Sequence, residues 1–349
     1  MRLTILRGVE FWNDSCALNE LKDAVDHGAT GATSNPVIVH SAIKLDPAAW
    51  TPALDAIIGA DETATEDEIA WRLIEEMGRQ AAAILAPVHG QTKGRQGFLS
   101  MQVSPKFHAN AARMVDQGRA LAALAPNIAI KVPSTAAGVQ AAEELVASGI
   151  NVNATVSFTV SQAVAVAEAF ERGLDRAQKS GADMTQLHPY ATLMVGRLDD
   201  LLQRVMVRER ITIDPGYLGW AGIAVFKRTH GIFKQRGFRS TLLSAAYRHH
   251  LHWSQLIGPG VIQTIPYAWW KQFEASDLEV EDTLDRPVNP QIVTALKRHF
   301  GDFELAYEER ALTPASFASF GASVHTLSQF LGGFQDLLGL VRERMLSPR

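Results

Sequence analysis

The stretch NIAIKVPSTAAGVQAAEELVASGINVNATVSF, residues 127–158, decides the fold that this sequence predicts. Apolar residues alternate with small or polar ones over residues 128–132, which is the period of a strand with one apolar face. Pro133 ends that strand, and a helical repeat follows as far as Gly149, a residue suited to the left-handed end of a helix. A second alternating strand follows at once over residues 150–156. The stretch therefore predicts one βαβ unit with two parallel strands.

Polar side chains lie on strand faces that an α/β protein normally fills with apolar ones. Lys131 lies near the carboxyl end of the first strand, and Asn151, Asn153 and Thr155 share one face of the second. A buried network that only holds the fold would explain them, since buried polar groups need partners. Lys131, however, falls at the carboxyl end of its strand, where barrels and open α/β sheets place their chemistry. The pattern therefore favours a functional site.

The composition is typical of a soluble, enzyme-sized globular protein. The chain has 349 residues, of which 47% are hydrophobic and 20% are charged. A net charge of −4 argues against nucleic acid as a partner. One cysteine, Cys16, excludes an internal disulfide, and no apolar run reaches the length of a secretory signal core or a membrane span. We therefore expect a cytoplasmic protein with no nucleic-acid and no membrane partner.

Eight strand patterns alternate with helical patterns along the chain, without an internal repeat or a linker. The strands are expected at Val9–Asn13, Ala29–Thr33, Gly97–Val103, 128–132, 150–156, Tyr190–Val195, Ser240–Ala246 and Val261–Ile265. This order predicts an α/β protein with a single (β/α)8 TIM barrel over residues 1–268. The segment 37–60, rich in alanine, proline and tryptophan, is predicted to be irregular.

Residues 269–349 are expected to form a helical C-terminal tail packed on the barrel. Its main helix is expected to open at Thr313-Pro314, because proline is favoured in the first turn of a helix. The apolar stripe of this helix is predicted to comprise Val324, Leu327, Leu331, Phe334, Leu338 and Val341.

Polar residues stand at the carboxyl ends of the predicted strands, which meet at one face of a barrel. The set comprises Asp14, Thr33, Asn35, Gln102, Lys131, Asn153, Thr155, Arg197 and Arg248. A lysine among neutral polar groups suits Schiff-base catalysis, because desolvation favours the free amine. Asp14 is the one carboxylate in the set and a candidate acid/base. An ion pair with Lys131, or a cap on the helix beginning near Ala17, explains Asp14 about as well from spacing alone.

Arg197 and Arg248, at the ends of the sixth and seventh strands, suit an anion, since guanidinium groups bind phosphate bidentately. Pairing with a nearby carboxylate is the alternative, because Asp199 and Asp200 lie close to Arg197 in sequence.

A metal site is not expected, although three histidines cluster in the sequence. His249, His250 and His252 have no carboxylate cluster beside them, and adjacent histidines rarely converge on one ion. We expect them on a solvent-facing turn. The sequence also has no glycine-rich phosphate loop and no dinucleotide fingerprint, so no cofactor is expected.

Motifs spread over most of the chain resemble the transaldolase family. They are ATSNP at Ala32–Pro36, GFLSMQVSP at Gly97–Pro105, the stretch 126–158, VGRLDD at Val195–Asp200, AGIAVFKR at Ala221–Arg228 and LIGPGVIQTIP at Leu256–Pro266. The tail sequence LTPASFASFGASVHTLSQF is similar to the end of longer bacterial transaldolases.

The resemblance implies a class I aldolase barrel that uses no metal and no cofactor. Lys131 would form the Schiff base, and Asp14 would be the acid/base for carbon–carbon cleavage. Asn35 and Asn153 would hold the hydroxyls of a dihydroxyacetone unit, with Thr155 helping to hold the catalytic water. Arg197 and Arg248 would bind the phosphate of the sugar, and Thr33 and Thr192 are further candidate substrate-binding residues.

Gln102 departs from the family pattern. Transaldolases usually read S-x-E-V on the third strand, and the glutamate works through a water, whereas an amide holds a water without taking its proton. Related fructose-6-phosphate aldolases carry a glutamine there together with a tyrosine on strand six. The corresponding position here is Met194, so Tyr190 or Tyr247 would have to supply the phenol.

The resemblance implies a transaldolase-like enzyme of carbohydrate metabolism, of the pentose phosphate type. It would transfer a dihydroxyacetone unit from a phosphorylated ketose, a small-molecule sugar phosphate, to an aldehyde acceptor. One alternative is a fructose-6-phosphate-type aldolase that releases free dihydroxyacetone. Another is a catalytically weakened barrel that binds a sugar phosphate without turnover. The sequence leaves open whether the anion is phosphate or sulfonate, and a homodimer is one candidate assembly.

Overall fold

Eight parallel strands close into a barrel in this protein, whose structure, a computed structural model, describes residues 1–347. The strands are β1 Glu10–Asn13, β2 Gly31–Thr33, β3 Phe98–Gln102, β4 Ile128–Pro133, β5 Val152–Thr155, β6 Tyr190–Leu193, β7 Thr241–Ser244 and β8 Val261–Ile265. Each strand pairs with its neighbours in sequence, and β1 closes the ring against β8. The (β/α)8 barrel expected from the sequence is confirmed.

Helices connect and surround the strands. They are α1 Arg2–Leu6, α2 Leu18–Asp26, α3 Pro36–Leu45, α4 Pro47–Ala60, α5 Glu66–Gln91, α6 Ala111–Ala122, α7 Ala136–Ala147, α8 Val160–Lys179, α9 Val195–Glu209, α10 Ala221–Arg236, α11 Leu251–Ser254, α12 Tyr267–Ala275, α13 Pro290–His299, α14 Gly301–Tyr307, α15 Pro314–Phe317 and α16 Gly321–Leu346. Within the part of the chain that the structure describes, no helix is long and apolar enough to cross a membrane.

The β4-α7-β5 unit has the local structure that its residues predict. The Thr135 side chain caps α7 by accepting a hydrogen bond from the backbone N–H of Gly138 at 3.0 Å. Gly149 follows α7 with a φ of 78°, the left-handed conformation that glycine adopts at little cost. Parallel pairing then sets Lys131 beside Gln102 of β3 on one side and Asn153 of β5 on the other.

The segment expected to be irregular forms two helices, α3 and α4. Both begin with proline, whose missing N–H costs nothing in a first turn. The side chains of Asn35 and Asp46 cap them, accepting backbone N–H groups at 3.0 and 3.1 Å. The prediction was wrong because it treated these prolines as breakers of structure rather than as first-turn residues.

The main helix of the tail begins later than expected. Thr313 and Ser316 form a capping box, but the helix that they start, α15, ends at Phe317. The main helix is α16, and its residue Val324 is 52% exposed, so the predicted stripe is wrong at that position. Leu327, Phe334, Leu338 and Val341 are buried as expected. Since α12 spans residue 268, the division of the chain there stays a prediction.

Aromatic side chains fill the barrel below its carboxyl-end polar residues. Trp12, Phe98 and Tyr190 are each 3% exposed or less, and the Trp12 and Tyr190 rings meet edge-on at 4.9 Å. Side chains two residues apart on a strand share a face at successive depths. Trp12 therefore lies one level deeper than Asp14, and Tyr190 one level deeper than Thr192. The polar residues at the carboxyl end therefore lie above a layer of buried aromatic side chains.

The first testable prediction concerns Gly138, because a Cβ atom there would lie 1.7 Å from the carbonyl oxygen of Pro133, which ends β4. Gly138→Ala should lower the free energy of unfolding by about 1–3 kcal/mol, as overpacking does. The matched control is Gly332→Ala on α16, where a Cβ would meet nothing within 4 Å. The control should raise stability by about 0.5–1 kcal/mol, because alanine favours helix more than glycine does. Denaturant titration measures both, and a stabilised Gly138→Ala would contradict the close contact.

Candidate active site

Lys131 is a buried amine with few hydrogen-bonding partners. Its side chain is 5% exposed, and among residues 1–347 Nζ has one hydrogen bond, a donation to the backbone oxygen of Ser34 at 3.2 Å. A charged ammonium has three N–H groups to satisfy. Burial accordingly lowers the pKa of Lys131, and the charge of Asp14 offsets only part of that effect. The site favours the neutral amine, which is the nucleophilic form of lysine.

Asp14 is held by a chain of hydroxyl groups. The Oγ1–H of Thr33 donates to Oδ1 of Asp14 at 2.6 Å, and Oγ1 of Thr264 lies 2.8 Å from the same Thr33 oxygen. Because the single proton of Thr33 is directed at the carboxylate, Thr264 must donate to Thr33. Burial raises the pKa of Asp14, while Lys131 and Thr33 act in the opposite direction. A carboxyl group with a raised pKa, held in one orientation, is suited to acid/base work.

The two alternative explanations of Asp14 do not describe its contacts. The first residue before α2 is Ala17, and that helix end receives no side-chain cap. No cation lies within ion-pair distance of the Asp14 carboxylate in the described chain, residues 1–347. Thr264 of β8 belongs to this group of side chains and was missed by the sequence reasoning. The alternation within VIQTI, Val261–Ile265, was the available signal.

Asn153 joins three strands inside the barrel. Its Nδ2 donates to Oγ of Ser100 on β3 at 3.1 Å, and its Oδ1 accepts from Oγ1 of Thr192 on β6 at 2.6 Å. All three residues are buried, and each amide atom of Asn153 keeps the capacity for one more hydrogen bond. Asn35 differs, because its Oδ1 caps α3 at the N–H of Ile38. Asn35 therefore has its NH₂ group and one remaining lone pair of Oδ1 to offer a ligand.

Gln102 and Thr155 present unpaired oxygens on either side of the lysine. Oε1 of Gln102 and Oγ1 of Thr155 are buried and have no hydrogen-bond partner among residues 1–347. Gln102 pairs with Lys131 in the β3–β4 register, and Thr155 pairs with Pro133 in the β4–β5 register. Buried polar atoms without a partner are rare in folded proteins, and they mark places where a ligand or a water bonds.

Neither tyrosine considered from the sequence brings a phenol to Lys131. Tyr190 belongs to the deeper aromatic level, and burial raises its pKa well above the usual value. The hydroxyl of Tyr247 bonds to Oγ of Ser244 at 2.6 Å, and its ring lies beside Phe273 of α12. Burial raises the pKa of Tyr247 as well. The correspondence of Met194 to the tyrosine of fructose-6-phosphate aldolases stays a prediction, and neither of these two tyrosines takes the place of that phenol.

The two arginines differ in their partners. Arg248 donates from Nε and Nη2 to the carboxylate of Asp200, with the shortest contact at 2.8 Å, and from Nη1 to two backbone carbonyls. Arg197 has no carboxylate within 4.0 Å in the described chain, and its Nη1 donates to Oε1 of Gln329 on α16. Burial and the charge of Arg248 lower the pKa of Arg197. Local pairing therefore explains Arg248, whereas Arg197 feels the charges of Asp200 and Asp14 without an ion-pair contact to either.

Of the three histidines after β7, His250 lies on an exposed turn as expected, but His249 and His252 face Asp199, so the expectation was wrong for these two. His252 is fully buried, and its Nε2 lies 2.8 Å from Oδ2 of Asp199, with Nε2 of His249 3.2 Å from the same oxygen. These two histidines face inward because they bond to Asp199, which lies 50 residues or more away in sequence. The other carboxylate oxygen of Asp199 accepts the N–H of Gly222.

The three ligand-type groups are close enough to raise the question of a metal ion. The backbone N–H of Arg248, however, donates to Nδ1 of His252 at 3.0 Å. Nδ1 is then the acceptor, so Nε2 carries the proton and donates it to Asp199. A ligating histidine normally has the reverse arrangement, with its second nitrogen as a donor. The cluster therefore fits a hydrogen-bonded support for the segment that carries Arg248.

These polar residues gather at the carboxyl end of a closed barrel of eight parallel strands. A family model described as Transaldolase/Fructose-6-phosphate aldolase matches residues 11–330. The chain belongs to this family. The resemblance seen in the sequence is confirmed, and so is its implication of an enzyme of the transaldolase type. The Schiff-base mechanism is general to the family, whereas the role of each individual residue here stays a prediction.

Curated relatives give the same result at moderate identity. A transaldolase of Thiobacillus denitrificans is 29% identical over an aligned length of 287, and the match covers 74% of this chain and 79% of the relative. A transaldolase of Neisseria meningitidis serogroup C is 30% identical over 293 residues, covering 76% and 81%. A transaldolase of an Arthrobacter species is 25% identical and covers 98% of this chain and 96% of its own, so the likeness includes the tail.

The second testable prediction concerns the pH dependence of imine formation. The amine attacks when neutral, so the rate should rise with pH and level off above the lowered pKa of Lys131, below the usual 10.5. Asp14→Asn removes a charge that raises this pKa, so the midpoint should move to lower pH. Borohydride trapping with dihydroxyacetone, followed by mass spectrometry, measures it. Asp116→Asn, an exposed position on α6, is the control. An upward shift in Asp14→Asn would contradict the coupling.

Proposed function

We propose that this protein transfers a dihydroxyacetone unit from a phosphorylated ketose to an aldehyde acceptor through an imine on Lys131. The observation that carries the proposal is the environment of that amine. It is buried with one hydrogen bond, and unpaired oxygens of Gln102 and Thr155 flank it. Membership of the family supports the reaction type, and the names of the curated relatives support transfer.

The chemistry follows from this arrangement. The neutral amine of Lys131 adds to the ketose carbonyl, and loss of water from the carbinolamine gives an iminium ion. Asp14 takes the proton of the hydroxyl next to the bond that breaks, and the electrons of that bond pass to the iminium. An aldehyde leaves, and the enamine stays on the lysine. Addition of the enamine to a second aldehyde, with the proton returned by Asp14, and hydrolysis of the imine release the new ketose.

The remaining groups bind the substrate in this proposal. Asn153 and the NH₂ group of Asn35 hold the hydroxyls of the dihydroxyacetone unit, with Thr192 orienting Asn153 and Thr33 orienting Asp14. The anionic end lies toward Arg197 and Arg248. Arg197 contributes more, because Asp200 already neutralises Arg248 while Arg197 has no carboxylate partner among residues 1–347.

Gln102 decides between transfer and its alternatives. With Thr155 it holds a water beside the carbinolamine, but the amide does not accept the proton of that water. A fructose-6-phosphate-type aldolase is favoured by the glutamine and disfavoured by Met194, which stands in place of the phenol. A barrel that binds without turnover is disfavoured by Asp14, since a binding site has no need of an acid/base held by two threonines. The cytoplasmic location, the homodimer and a place in the pentose phosphate type of metabolism stay predictions.

The third testable prediction is the covalent adduct itself. Incubation with fructose 6-phosphate and borohydride should add one reduced sugar-derived group to the tryptic peptide that contains Lys131, and Lys131→Ala should give no adduct. An adduct on Lys93 or Lys106 would overturn the assignment. Product analysis without an acceptor then separates the two enzymes, because a transferase retains the dihydroxyacetone unit and an aldolase releases it. Binding of fructose 6-phosphate with no adduct would favour the barrel without turnover.

The fourth testable prediction concerns Gln102. General acid–base catalysis raises the rate of a step about 10²–10⁴-fold. An enzyme without an acid/base at the water beside the carbinolamine should therefore be limited by formation or hydrolysis of the imine. Gln102→Glu should increase turnover and add the pH dependence of a carboxylate. Asp14→Ala in the same background should remain inactive, because Asp14 serves the cleavage step. A fall in turnover in Gln102→Glu would mean that the site is built around the amide, and would favour the aldolase.

A further inference from the structure

The last long helix, α16, reaches the anionic end of the candidate site. Gln329 lies on it, 132 residues after Arg197, and its Oε1 accepts the Nη1–H of that arginine. Nε of Arg197 is buried and has no hydrogen-bond partner in the described chain, residues 1–347. The contact with Gln329 is therefore the side-chain interaction that fixes the direction of this guanidinium.

The amide of Gln329 has one orientation. A guanidinium group only donates, so the oxygen of the amide must face Arg197. Nε2 of Gln329 then lies 3.1 Å from Nε2 of His325, one turn earlier on the helix, and donates to it. His325 accepts at Nε2 and is neutral. Burial and the charges of Arg204 and Arg197 lower the pKa of His325, in agreement with that state.

The helix that carries Gln329 is fixed at several points. A Cβ at Gly333 would lie 2.5 Å from Val37 of α3, so the two helices meet closely at this glycine. Toward the amino end of α16, Oγ of Ser323 accepts a hydrogen bond from Gln162 at 3.3 Å. Near its carboxyl end, Arg344 pairs with Asp55 at 2.5 Å. Gln329 is consequently held in place by the packing of the helix and does not depend on its own contact with Arg197.

We propose that Gln329 is a positioning residue that directs Arg197 at the anionic end of the substrate and so sets the preference for charged over uncharged ketoses. The inference rests on the proposed function. A neutral carbonyl oxygen orients the guanidinium while leaving its charge for the substrate. A carboxylate in the same place would orient it equally well but would neutralise it, as Asp200 does for Arg248.

Gln329→Glu separates these effects, because it keeps the contact and cancels the charge. Loss of a charged hydrogen-bonding partner corresponds to a tenfold or larger loss of binding. The KM for fructose 6-phosphate should therefore rise roughly tenfold or more. The rate of borohydride trapping with dihydroxyacetone, which has no anion, should stay within about twofold. The thermal midpoint should be unchanged or higher, since the variant gains an ion pair. Gln335→Glu, an exposed glutamine on the same helix, is the matched control and should change neither rate.

An unchanged KM in Gln329→Glu, or an equal change for the charged and uncharged substrates, would overturn the proposal. If Gln329→Glu does not fold, Gln329→Ala should give the same split between substrates with a smaller amplitude. Calorimetry can measure the affinity of inorganic phosphate for the wild type and for Gln329→Glu. This measurement needs no turnover, so it tests the role of Gln329 independently of the proposed function. Weaker phosphate binding in the variant supports the role of Gln329 even if no adduct forms, whereas equal binding contradicts it.

Discussion

The desolvation of one amine is the constraint on which the carboxyl end of this barrel depends. Lys131 lies inside a closed ring of strands where the backbone oxygen of Ser34 is its hydrogen-bond acceptor among residues 1–347. A full positive charge is unfavourable there, so burial lowers the pKa of Lys131 and shifts the amine toward its neutral form. The charge of Asp14 opposes this lowering of the lysine pKa. Its negative charge draws the lysine back toward the charged form, and its hydrogen bond with Thr33 keeps the carboxylate in a fixed direction.

Unsatisfied polar atoms near a buried amine cost stability, and the surrounding structure offsets that cost. Thr192, Asn153 and Ser100 complete one hydrogen-bonded chain across three strands, whereas Gln102 and Thr155 keep unpaired oxygens. The first group fixes the geometry, and the second group remains available for reacting atoms. Neighbouring side chains on the same strands thus differ in whether their hydrogen bonds are satisfied. The free-energy cost of the unsatisfied ones is offset by apolar packing elsewhere in the protein.

The alternation of apolar and polar residues predicted the strands, because strand formation depends on neighbouring residues. The alternation around Lys131 defined β4, and the polar strand ends identified the site face before any contact was known. Two of the errors lie where distant segments meet. Asp199 turns two of the histidines after β7 inward from more than 40 residues away, and Gln329 reaches Arg197 from the tail. Thr264 was missed because the alternation within Val261–Ile265 was not used to assign the face of its polar residues. The helices α3 and α4 were missed because their capping residues, Asn35 and Asp46, were not considered together with the prolines that follow.

The aromatic level formed by Trp12, Phe98 and Tyr190 gives the barrel a floor. A separate cavity of about 340 Å³, lined by Glu10, His188 and Tyr190, lies at the amino-terminal end of the strands. The aromatic level therefore lies between this cavity and the polar carboxyl end of the barrel. In the proposed reaction, the aldehyde cut from the donor would leave by the carboxyl end of the barrel, where the acceptor would also arrive, and both would compete for Arg197. Under the proposed function, donor and acceptor would bind one after the other, with the three-carbon unit held on Lys131 between the two binding events.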